Sequence, residues 1–94
     1  MRAIHPGRIL RRELKARELS ANALALALRT PSGRITDILN GKRAVTTETA
    51  MRLGRYFGQS PRFWINLQSN YDLALAEERI GGKLDVEVVP AKAE

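Results

Sequence analysis

The stretch Ser20–Arg43, SANALALALRTPSGRITDILNGKR, decides the fold. Ser20 can accept a hydrogen bond from an otherwise unpaired amide and so start a helix, in which Leu24, Ala27 and Leu28 share one face. Arg29-Thr30-Pro31-Ser32-Gly33 breaks that period. Pro31 suits the first turn of a further helix running through Arg34 to Leu39. At about 100° per residue Ile35, Ile38 and Leu39 point inward, and Gly33, Asp37 and Asn40 face outward, flanked by Ser32, Arg34 and Thr36. Asn40-Gly41 supplies the turn chemistry that ends a helix, and Lys42-Arg43 places two cations just beyond it. Two short helices joined by a tight turn, the second presenting small polar side chains, form a helix-turn-helix whose second helix fits the DNA major groove. The cations then stand where they can meet phosphate oxygens, which give affinity and register without reading sequence.

On the N-terminal side, His5-Pro6-Gly7 opens a helix to about Arg17. Its buried stripe is Ile9, Leu10 and Leu14, and Arg8, Arg11, Arg12 and Lys15 lie on the other face as a solvated surface. On the C-terminal side, Thr46 caps a fourth helix with Glu48 in its first turn, Ala50, Leu53 and Phe57 in its core stripe and Gly58 at its stop. Ser60-Pro61 starts a fifth and longest helix reaching about Ile80. That helix carries two apolar stripes. Phe63, Trp64, Leu67, Tyr71, Ala74 and Leu75 suit the core, and Ile65, Leu73, Ala76 and Ile80 suit a second subunit. After Gly81-Gly82, read as a flexible hinge, Leu84, Val86 and Val88 alternate with Lys83, Asp85 and Glu87 at the period of a strand. Such a strand has no partner within the chain, so it is expected to pair with its copy in a dimer or with the sheet edge of another protein, self-pairing being favoured and a disordered tail being the alternative.

The expectation is therefore an all-α, five-helix, lambda-repressor-like domain over residues 1–80, with a C-terminal tail over 81–94 read as a short β-strand. The dimer interface is expected at Ile65, Leu73, Ile80, Leu84, Val86 and Val88.

Ninety-four residues allow one compact core. The chain has no cysteine and one histidine, which leaves no disulfide and little means of holding zinc, so no metal and no cofactor are expected. No basic-then-apolar leader and no span-length apolar run are visible, and a cytoplasmic protein without a membrane partner is expected. The net charge of +6 is unevenly placed. Residues 1–70 hold 13 Lys or Arg against 4 acids, whereas residues 71–94 hold 3 against 6, giving a basic head and an acidic tail. Catalysis lacks a set of groups: the acids are scattered, and no phosphate-cradling loop or Ser/His/Asp arrangement is present. Trp64 and Phe63 at helical spacing read as core, and His5 beside a proline reads as a capping or turn residue.

Several strings together resemble one family. They are His5-Pro6-Gly7, the segment Ser20 to Arg43, Thr47-Glu48-Thr49-Ala50, Arg55-Tyr56-Phe57-Gly58 and Phe63-Trp64-Ile65-Asn66-Leu67-Gln68. The chain resembles the HigA/VapI-type antitoxins of the XRE helix-turn-helix family over roughly residues 4–80. The resemblance implies a non-enzymatic bacterial antidote that binds double-stranded operator DNA as a homodimer, represses its own operon and neutralises a RelE/HigB-like ribonuclease toxin. It places groove contacts at Ser32, Gly33, Arg34 and Asp37 and backbone contacts near Asn40, Lys42 and Arg43, with Arg29 and Thr30 of the turn completing the DNA-facing set. Ala21, Arg29 and Gly33 depart from the Gln, Gly and polar reader usual at those positions. A stand-alone repressor of the XRE type, and a toxin-binding protein with weak DNA binding, are the alternatives left open by sequence.

Overall fold

A computed structural model describes residues 3–92 and contains five helices: α1 Pro6–Ala16, α2 Ala21–Leu28, α3 Ser32–Leu39, α4 Thr47–Phe57 and α5 Pro61–Glu87. Four of the five are capped at their starts by side chains. Ser20 Oγ accepts from the Ala23 amide at 3.0 Å, Thr46 Oγ1 from the Thr49 amide at 3.2 Å and Ser60 Oγ from the Arg62 amide at 3.1 Å. At α1 the cap is His5, whose Nδ1 accepts from the Gly7 amide at 2.9 Å.

The first four helices all stop through one device. Glu18, Arg29, Gly41 and Gly58 adopt left-handed backbone with φ of 50°, 54°, 74° and 71°. The amide after each turns back to a carbonyl five residues earlier: Leu19 to Leu14, Thr30 to Ala25, Lys42 to Asp37 and Gln59 to Gly54. Short, sharply ended helices are what let the chain fold back on itself four times within 60 residues.

Leu10, Leu14, Leu24, Leu28, Ile35, Ile38, Val45, Ala50, Leu53 and Trp64 form the core. Trp64 is fully buried, and its indole N–H donates to Gln59 Oε1 at 2.8 Å, so its polar atom is satisfied without leaving the core. In α2 the buried alanine is Ala25, and Ala27 is exposed. Two glycines permit close packing. A Cβ on Gly7 would collide with the Ile38 carbonyl, and one on Gly54 would come within 2.7 Å of the Gln59 carbonyl oxygen. These contacts seat α1 on α3 and the α4–α5 turn on α4.

The tail departs from the strand expected of it. Among the described residues there is no strand; Gly81, Gly82 and residues 83–87 continue α5, and Gly81-Gly82 is not a hinge. The reason lies in hydrogen bonding. A lone strand leaves its amides and carbonyls without partners, whereas a helix satisfies them internally and tolerates two glycines at about 1 kcal/mol each. Helical spacing also puts Leu84 on the same line as Leu73 and Ile80. The helix ends where Val88 turns extended (φ −112°, ψ 111°), two residues before Pro90, whose ring disfavours helical backbone at Val89. Ala93 and Glu94 of the expected tail, and Met1 and Arg2, lie outside the described residues.

Candidate nucleic-acid interface

The turn between α2 and α3 is built by Arg29 and Thr30. With Arg29 left-handed, its amide donates to the Leu26 carbonyl at 3.2 Å and the Thr30 amide to the Ala25 carbonyl at 3.0 Å. Arg52 of α4 completes the turn, its Nη1 donating to the Leu28 carbonyl at 2.9 Å. Thus α2 is closed from below by a side chain that sequence reading did not single out. Pro31 precedes α3 as its capping residue and offers no side-chain acceptor there, one position earlier than expected.

Helix α3 buries Ile35 and Ile38 completely and turns Ser32, Gly33, Thr36 and Asn40 to solvent, with Arg34 and Asp37 half-buried at the flanks. Beyond the local backbone of α3, nothing lies within 4 Å of the point where a Gly33 Cβ would sit, so the outward surface of α3 is open and low there. The loop after α3 is tied to it. The Lys42 amide donates to the Asp37 carbonyl at 2.8 Å, and Arg43 Nε lies 3.9 Å from the Asp37 carboxylate. That pair is about half exposed, so it orients the two side chains more than it stabilises the fold.

Two further side chains hold this loop. Arg11 Nη2 of α1 donates to the Leu39 carbonyl and to Asn40 Oδ1, both at 3.2 Å, fastening the end of α3 to α1. Gln68 of α5 accepts from the Val45 amide at 2.8 Å and donates to Asp72 at 3.0 Å, anchoring the far end of the loop. Gln68 is a buried polar residue, and its signal in the sequence is a glutamine on the Trp64 stripe one turn along. His5 stands beside the same loop. Its ring meets Tyr71 edge-on at 4.8 Å, and burial pushes its pKa below 6.5 against the opposing pull of the Arg43 backbone and the Asp72 charge. Its role is that of a cap.

Ser32, Gly33, Asp37, Asn40, Lys42 and Arg43 therefore form one continuous surface on α3 and its following loop. Arg34 borders it, Thr30 is half-buried in the turn, and Arg29 lines a separate groove between α2 and α4 with Arg52, Arg55, Met51 and Tyr56. Of the expected interface residues on α5, Ile65 packs against the core, whereas Leu73, Ile80 and Leu84 lie within about 40° of arc. Val88 lies past the end of the helix, where the backbone is extended. Val86, which a strand would have aligned with them, is carried by the helix to the other side.

No group of His, Asp or Glu suited to a metal occurs among the described residues, and no helix there is long and apolar enough to cross a membrane.

Comparison with known proteins agrees with this geometry. A helix-turn-helix family model, HTH_3, matches residues 10–64. Virulence-associated protein I of Dichelobacter nodosus is 52% identical over 79 residues, covering 83% of this chain and 73% of that protein. Among solved structures, an addiction module antidote protein of the HigA family from Coxiella burnetii superposes with a TM-score of 0.94 at 49% identity, over 97% of this chain and 100% of that one. Pseudomonas aeruginosa antitoxin HigA, solved with the higBA promoter, superposes with a TM-score of 0.93 at 43% identity over 97% and 100%.

Proposed function

Since the chain belongs to the HTH_3 helix-turn-helix family, in its branch of HigA/VapI-type antitoxins, we propose that it is the antitoxin of a toxin–antitoxin module, binding operator DNA and repressing its own operon. The observation that carries the DNA reading is the α3 surface. It is a short helix with a low, polar outer face, braced from α1 and α5 and followed by Lys42 and Arg43. A helix entering the major groove needs small outward residues for close approach and flanking cations for the phosphates. That a HigA relative was solved with a promoter supports DNA binding here.

The protein works as a cytoplasmic homodimer. A two-fold protein reads two half-sites about one helical turn apart, and the Leu73, Ile80 and Leu84 line on a helix projecting beyond the core is the surface suited to the second copy. The partner is a RelE/HigB-like ribonuclease toxin. Its basic, RNA-binding surface would be complemented by the acid excess of residues 71–94. Co-expression with a RelE/HigB-like toxin encoded in the same operon is expected to restore growth that the toxin alone arrests, and the two are expected to co-purify. Rescue failing while operator binding persists would leave a repressor and refute the antidote role.

A further inference from the structure

Helix α1 carries Arg8, Arg11, Arg12 and Lys15 within about 100° of arc. All four are exposed, and none lies in an ion pair among the described residues, whereas Glu13 on another face of the helix is paired with Arg17 at 3.1 Å. Four of the six pairs in the set are spaced i,i+3 or i,i+4, so the like charges repel one another and weaken the helix that bears them. A solvated helix face is ordinarily mixed in sign. A face of one sign without counter-charges is relieved by a polyanion.

The structure also says which polyanion. Arg11 bonds to the Leu39 carbonyl and Asn40, so the basic face of α1 adjoins the loop carrying Lys42 and Arg43. The six cations make one strip leading away from the reading surface of α3. We infer that the α1 face is a second phosphate-binding track, which holds the DNA backbone flanking the operator half-site. This rests on the operator-binding reading above and extends it past the bases that α3 can reach. Arg8, Arg12 and Lys15 contact the flanking phosphates, while Arg11 joins the two parts of the strip and positions the loop.

The test is fluorescence-anisotropy titration of two duplexes from the DNA upstream of the chain's own coding sequence. One is trimmed to the protected core, and the other is extended by about one helical turn, roughly 10 base pairs, on each side. The proteins are wild type, the triple variant Arg8→Ala/Arg12→Ala/Lys15→Ala, and the charge-preserving Arg8→Lys/Arg12→Lys. On the long duplex the triple variant is expected to lose affinity, with a slope of log K against log salt shallower by about 0.9 for each phosphate contact removed. On the short duplex it should match wild type, and the lysine variant should match wild type on both. A triple variant indistinguishable from wild type on the long duplex would overturn the inference, as would equal losses on both lengths. Wild-type protein that binds neither duplex would refute the operator-binding reading itself, and the inference with it.

Discussion

At the residue scale, four left-handed positions of similar geometry carry different chemistry. Gly41 and Gly58 adopt positive φ without penalty, whereas Glu18 and Arg29 adopt it with a Cβ that crowds the neighbouring carbonyl, at about 1 kcal/mol each. Arg29→Gly is therefore expected to stabilise the fold by up to about 0.5 kcal/mol in urea denaturation, after allowance for the extra freedom of glycine in the unfolded chain. A destabilised variant would mean that Arg29 makes compensating contacts. His5 behaves differently with pH. Its folded pKa is lowered, chiefly by burial, and protonation of Nδ1 would remove the acceptor for the Gly7 amide. The stability it contributes is complete above pH 6.5 and is lost as pH falls through the lower folded value. Melting temperature should accordingly drop faster on acidification in wild type than in His5→Asn, which keeps a capping acceptor but cannot titrate. Parallel curves would contradict this.

At the scale of elements, the caps and stops were legible because each is local: Ser20, Thr46, Ser60, Gly41 and Gly58 act within a turn of themselves. What was not legible depended on partners distant in sequence. Arg11, Arg52 and Gln68 each bridge between 23 and 28 residues to reach a backbone group, and nothing in their immediate surroundings announces it. The tail was misread for another reason. Alternation over six residues fits a strand, yet Leu73, Ile80 and Leu84 also fit a helix, and the glycine pair concealed the continuity. A helical tail makes its own prediction. No atom lies within 4 Å of a Cβ on Gly82, so Gly82→Ala should raise helicity at 222 nm and stabilise α5 by up to about 1 kcal/mol. A hinge or strand at that point would give no gain in helicity.

At the scale of the whole molecule, α5 buries Trp64, Gln68 and Ala74 and then continues to Glu87 with no buried residue, exposing Leu73 and Leu84. A helix this long with an unburied apolar line gains from a second copy. Sedimentation equilibrium at tens of micromolar is expected to give a dimer for wild type, and a monomer for the double variant Leu73→Glu/Leu84→Glu with its core intact. A wild-type monomer would place the two-fold contact elsewhere or abolish it.

The central claim is that α3 reads DNA. It is tested most directly by titrating the wild-type protein, at physiological salt, into a labelled duplex from upstream of its own coding sequence and into a scrambled duplex of equal length. The account predicts preference for the natural sequence by about 1,000-fold or more, the usual margin between specific and non-specific binding. Equal affinity for the two duplexes, or binding to neither, would contradict it.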